Sequence, residues 1–200
     1  MKNLKDKILE GLKVNSKSKF GSNYNYFPKT KNELINLVKK LINERGKKAN
    51  LNDIDTSKIT NMSWLFYDSY FDGDISKWDV SNVEDMYDMF FKSKFNGDIS
   101  EWDVSNVKNM NFMFNNSNFN GDISKWDVSN VTNMMSMFAN STFNGDISNW
   151  NVSKVEMMEC MFAYSKFSGD ISKWDVRNVK YWTEMFKQCP LEKNPPKWYK

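Results

Sequence analysis

The sequence predicts an α/β repeat solenoid, and three observations predict it. One residue pattern returns at a fixed interval: Gly73, Gly97, Gly121, Gly145 and Gly169 each lie 24 residues from the next, as do Trp78, Trp102, Trp126, Trp150 and Trp174. A period in this range marks an architecture of stacked, near-identical units. In the copy at 95–117, Trp102 and Val104 alternate with Glu101, Asp103 and Ser105. Period two puts the first pair on one face of a short strand and the polar three on the other. Val107, Met110 and Phe114 then fall at i, i+3 and i+7, one helical face.

Each element has its own justification. Ile99-x-x-Trp102-x-Val104 has the apolar spacing of a leucine-rich repeat, so the 24-residue coils are expected to be leucine-rich-repeat-like, each with a short parallel strand and a short helix. Ser81–Glu84 and Ser153–Glu156 fit capping boxes at the start of those helices. Asn96-Gly97 is expected to turn the chain through a positive φ. Four regions follow: 1–27, an N-terminal helix (3–13) and polar linker; 28–48, a capping helix; 49–190, the solenoid, with a degenerate first repeat and five full ones; and 191–200, a C-terminal cap. Thr30-Lys-Asn-Glu33 fits a capping box for the second helix, and Gly46 a left-handed cap at its end. That helix is the expected lid on the first coil, since an open array end exposes core. At the far end Leu191 takes the position of Phe167 and Trp198 that of Trp174.

Composition narrows the function. The 200 residues carry 28 Lys and Arg against 25 Asp and Glu, a net charge of +3 without the concentrated basic stripe of a nucleic-acid binder. No apolar run is long enough to span a bilayer. The first ten residues lack the apolar core of a secretory signal, which points to a cytoplasmic chain or one already processed. Cys160 and Cys189 occupy different repeat positions and make no disulfide framework. With no histidine, the commonest general base and imidazole metal ligand is missing. No enzyme, cofactor or metal site is expected.

The run Gly-Asp-Ile-Ser-x-Trp-Asp-Val-Ser-x-Val-x-x-Met-x-x-Met-Phe, together with Pro28–Leu34, Asp53–Ser57 and Met62–Phe66, resembles the BspA-like leucine-rich-repeat surface proteins. More closely it is similar to their Trp-Asp-Val/Met-Phe repeat, a lipoprotein-associated domain of unknown function. The resemblance covers about 28–198. It implies a leucine-rich-repeat-like solenoid, a cell-surface setting, a role in adhesion or protein binding, and no catalytic residues.

Three candidate surfaces emerge. Trp102 shares parity with Val104 in every full repeat, which places the tryptophans in the core; exposed, they would form a platform for sugars. The opposite face, Lys77, Asp79, Glu101, Asp103, Lys125, Asp127, Asn151, Lys173 and Asp175, is a candidate interaction face. Its acidic row could hold a cation or basic partner, or be neutralised locally by amides, Ser and Lys. A second row, Asp74, Asp98, Asp122, Asp146 and Asp170, reads as turn-stabilising. Tyr87, Phe112 and Met135, at positions that vary among copies, form a candidate apolar patch. The expected function is a non-enzymatic protein-interaction or adhesion module, monomeric, with a protein partner and no nucleic acid. The alternative is a glycan- or peptidoglycan-binding module using the repeat face.

Overall fold

In the computed structural model, residues 16–17 and 23–199 are described. The expected helix at 3–13 lies outside them. The expected loop at 15–25 contains a two-residue antiparallel pair, β1 (Ser16–Lys17) with β2 (Asn23–Tyr24). Among the described residues one α-helix follows, α1 (Lys31–Arg45), and a short 3-10 helix spans Pro190–Glu192.

The α1 start is built as its sequence dictates. The Glu33 amide donates to Thr30 Oγ1 at 3.3 Å, while the Glu33 carboxylate accepts from the Lys29 amide at 2.7 Å. Gly46 closes the helix at φ 88, its N–H donating to the Ile42 carbonyl at 2.8 Å, but its ψ of 169 is not that of a left-handed helical cap. Leu34, Leu37, Val38 and Leu41 are buried against the array. Arg45 then grips Asp53 of the first coil through two bonds of 2.9 Å.

The array is a stack of 24-residue coils, with frames beginning at 49, 73, 97, 121, 145 and 169. It is not the expected α/β solenoid. No coil contains a helix or a regular strand, and adjacent coils meet at isolated parallel bridges such as Asp85↔Asn109 and Asn109↔Asn133. The expected strand at Trp102–Val104 is broken by turns: the Trp102 amide donates to Ile99 O at 3.2 Å, and that of Val107 to Val104 O at 2.9 Å.

The expected helix at 107–114 is a series of tight turns for a related reason. Phe112 and Asn116 adopt φ 56 and 55, and every coil has a left-handed residue at both equivalent positions. A right-handed helix cannot pass through such residues. The amides therefore divide. Met113 and Asn115 bond back three residues within their coil, while Met110, Phe112, Phe114 and Asn116 donate to the carbonyls of Asn133, Met135, Met137 and Ala139 in the next. Turns with three-residue spacing still bring Met110, Met113 and Phe114 inward, which is why the pattern imitates a helix. The expected capping boxes have no helix to cap. The Ser81 amide donates to Asp79 Oδ1, and Glu84 pairs with Lys108 of the next coil at 2.7 Å.

The interior holds two phenylalanine columns. Phe66, Phe90, Phe114, Phe138, Phe162 and Phe186 stack with centroids 5.4–6.0 Å apart. Phe71, Phe95, Phe119, Phe143 and Phe167 do so at 6.1–6.4 Å. The repeat tryptophans are buried beside them. A buried indole N–H needs an acceptor, and each finds one in the preceding coil: Trp102 donates to Ile75 O at 3.2 Å, Trp126 to Ile99 O at 3.0 Å. Trp198 donates to Ile171 O at 3.0 Å and stacks on Trp174, so the tail after the last coil continues the interior.

The repeat glycines also differ from expectation. Gly46 alone among the described glycines has positive φ. At Gly121 the constraint is space, because a Cβ would sit 2.9 Å from the Phe119 ring.

Candidate functional site

A fixed interior leaves the outer positions free to vary on one repeated backbone. The left-handed position occupied by Phe112 is filled in turn by Trp64, Asp88, Phe112, Ser136, Cys160 and Glu184. Three residues further on stand Tyr67, Phe91, Asn115, Ala139, Ala163 and Lys187.

In the first three coils these positions, with Tyr87, build one connected aromatic surface. Tyr67 stacks on Phe91 at 5.0 Å, Phe91 meets Phe112 edge-on at 6.4 Å, Phe112 meets Tyr87 at 6.3 Å, and Tyr87 meets Trp64 at 5.5 Å. Trp64 and Tyr67 are 50% and 46% exposed, and Tyr70 beside them 73%. Polar groups fix the rings in place. Trp64 Nε1 donates to Asp88 Oδ2 at 3.0 Å, and Lys31 of α1 lies over the Trp64 ring at 4.3 Å while donating to Ser63 Oγ. Lys92 covers the Phe91 ring at 5.5 Å.

Between α1 and this surface runs a groove of about 640 Å³, lined by Ile35, Val38, Ile42, Trp64, Tyr67 and Asp68. Burial pushes the Asp88 carboxyl above its ordinary range, against the hydrogen bonds from Trp64 and Tyr87 that favour its charge. Burial also lowers the Lys31 ammonium, with Asp85 opposing.

The predicted patch is partly joined here. Tyr87 and Phe112 touch; Met135 is half-buried one coil further on, its amide bonded to Asn133 Oδ1 at 3.0 Å. The members missed from sequence are Trp64, Tyr67 and Phe91. Extending the 24-residue frame back into the degenerate first coil aligns Trp64 with Phe112 and Tyr67 with Phe91, and that alignment was the available signal.

The predicted charged face is a separate surface. Lys77, Glu101, Asp103, Lys125, Asp127, Asn151 and Lys173 are exposed, with Asp79 and Asp175 half-buried. Its acidic row is engaged locally. Asp103 and Asp127 accept the amides of Ser105 and Ser129 at 3.1 and 3.0 Å, Asn151 accepts that of Ser153, and Asp175 holds Arg177 through two bonds of 2.8 Å. Lys125 reaches Glu101 at 3.4 Å. The second acidic row does the same: the Ser100, Ser124, Ser148 and Ser172 amides, and their hydroxyls, hold the Asp98, Asp122, Asp146 and Asp170 carboxyls below their ordinary range. Among the described residues no three His, Cys, Asp or Glu side chains converge as a metal site would require, and no helix is long and apolar enough to cross a membrane. Cys160 and Cys189 are unpaired thiols.

Asparagines that the sequence reading passed over bind coil to coil. Asn82, Asn106, Asn130 and Asn178 each donate through Nδ2 to the carbonyl 25 residues back. Asn61 and Asn109 both donate to the Asp85 carboxylate between them, at 2.9 and 3.0 Å.

No curated protein and no solved structure matches the chain. Residues 35–139 and 94–198 each match one family model, described as Mycoplasma protein of unknown function, DUF285. These two overlapping matches take in most of α1 and every coil of the stack. The chain belongs to the DUF285 family, and its tandem coils are that family's repeat.

Proposed function

We propose that this chain is a non-enzymatic interaction module that binds a protein partner through the aromatic surface of its first three coils. One observation carries the reading. Five rings, Trp64, Tyr67, Tyr87, Phe91 and Phe112, form an unbroken surface chain, whereas equivalent positions further along hold Ser136, Ala139, Cys160 and Ala163. The interior needs none of these rings, since Phe114, Phe138 and Phe162 are buried in aromatic and plain coils alike. Large aromatic side chains at the surface are the anchors that protein interfaces use most. Kinship with the BspA-like surface proteins, and hence a role in adhesion, is part of the same proposal. The repeat tryptophans offer no sugar platform, because Trp78, Trp102, Trp126, Trp150 and Trp174 are buried with their N–H groups occupied, so the glycan alternative would rest on the charged repeat face.

The test is site-specific photo-crosslinking on the outer surface of the producing cells and in their cytosol. A crosslinker at Tyr67 is expected to capture a defined protein, and one at Lys173 on the charged face is not. Capture from both positions alike, or an oligosaccharide-array signal that survives Trp64→Ala with Phe112→Ser, would overturn the reading.

A further inference from the structure

Most bonds along the outer ladder run from one coil to the next, flanked by return bonds such as that of the Lys180 amide to Glu156 O. At each junction four amides of one coil donate to four carbonyls of the next, as Met158, Cys160, Phe162 and Tyr164 donate to Tyr181, Thr183, Met185 and Lys187. The coil that begins at 169 repeats the geometry, and no further coil follows it among the described residues. Its corresponding amides, Trp182, Glu184, Phe186 and Gln188, have no acceptor among the described residues. The tail covers the interior beneath this edge, Tyr199 packing on Phe186 at 4.8 Å and on Trp182 at 6.1 Å, but supplies no carbonyl to the ladder.

We infer that this edge receives a segment of another protein that follows the same turned path, adds its backbone carbonyls to the ladder and places a basic side chain beside Glu192. Hydrogen-bond polarity selects the occupant. A second copy meeting it tail to tail would set donors against donors. A second copy meeting it head to tail would need the first coil's ladder carbonyls, and α1 stands there, with Lys31 on Ser63 and Trp64 and Ile35 and Val38 along the groove. A heterologous segment meets neither obstacle, and unpaired backbone edges recruit such partners. Charge selects the side chain. A pocket of about 270 Å³ beside the edge is lined by Phe186, Tyr199, Glu184, Lys187 and Glu192. Glu184 is paired with Lys187 at 2.7 Å, which leaves the exposed Glu192 without an ion-pair partner among the described residues. Two rings and a free carboxylate suit an aliphatic stem ending in a cation. The inference is independent of the aromatic surface, which lies on other coils.

The experiment pans a phage-displayed library of random twelve-residue peptides against the full chain and follows the selected peptides by amide hydrogen exchange. Peptides carrying Lys or Arg are expected to be enriched and to slow exchange at Trp182, Glu184 and Gln188. Glu192→Lys should weaken them by about fivefold, and Trp64→Ala should not. A library that yields no binders would overturn the proposal. So would peptides that protect residues 64–91 instead, peptides indifferent to Glu192→Lys, or a concentration-dependent dimer that protects the same three amides.

Discussion

Phe112 and Cys160 occupy one place in two coils. Their backbones are alike, at φ 56 and 53, and each amide donates to the carbonyl 23 residues on. Beneath them Phe114 and Phe162 are equally buried. Around Phe112, however, the surface is a run of rings reaching back to Trp64, whereas around Cys160 it is Ala139, Ala163 and Ser136. The two regions separate what holds the stack together from what the stack displays. The interior and the coil-to-coil bonds are the same in both, so the difference in surface chemistry requires no change of fold.

The strongest test of that separation is a deletion inside. Phe138→Ala in a plain coil and Phe90→Ala in an aromatic one should each cost about 3–5 kcal/mol in denaturant unfolding, and should do so alike. Unequal losses would mean that the outer rings contribute to the core. Trp126→Phe keeps an aromatic ring but removes one of the two donors to the Ile99 carbonyl, the Trp102 amide remaining, and about 0.5–1.5 kcal/mol is the expected loss in the same measurement. On the surface, Phe112→Ser installs the residue found at 136. It should cost about 1 kcal/mol, the worth of its edge contacts with Tyr87 and Phe91, while abolishing partner capture. Capture that persists would place binding elsewhere.

Acid should act on both regions through the turns. The Asp98, Asp122, Asp146 and Asp170 carboxyls are held low by the Ser amides, so their folded-state values lie below the unfolded value of about 3.9. Their contribution is complete above that value and is lost as pH falls through the folded ones. Asp88, raised by burial, has the opposite sign: protonation relieves it, so Asp88→Asn should raise the thermal midpoint at neutral pH and steepen its fall toward acid. The smallest effect is expected at Lys92, left-handed at φ 53 on an exposed site, where Lys92→Gly should gain about 0.5–1 kcal/mol.

The stack was legible in the sequence because its period is strict and its inward residues are large. Parity placed Trp102 and Val104 inside together, and Thr30 and Glu33 marked the start of α1. The path within a coil was not legible. Its left-handed positions carry Trp64, Lys92, Phe112 and Tyr164 as well as Asp68, Asp88, Asn116 and Asn140, so no one residue type marks positive φ there, while the glycines that seemed to announce it are there to clear a phenylalanine ring. Three-residue turns place Val107, Met110 and Phe114 inward as a helix would, so periodicity could not tell the two apart. At the candidate site, Tyr87 and Phe112 could be read from their copies. Trp64 and Tyr67 required carrying the outer positions into the degenerate first coil, and Phe91 required comparing a second outer position, that of Tyr67, across the copies.

The identical bonding at each junction of the outer ladder has a consequence for how such a protein can change over generations. Because every junction offers the same four donors to the same four acceptors, a whole unit can be lost or duplicated and the flanking units will rejoin without rewiring. A single inserted residue has no such escape, since it breaks the 24-residue spacing across its own coil and leaves one junction with an unmatched residue. Lineages of this chain are therefore free to grow and shrink in multiples of 24 residues, with each new unit adding a blank stretch of outer surface for selection to write on.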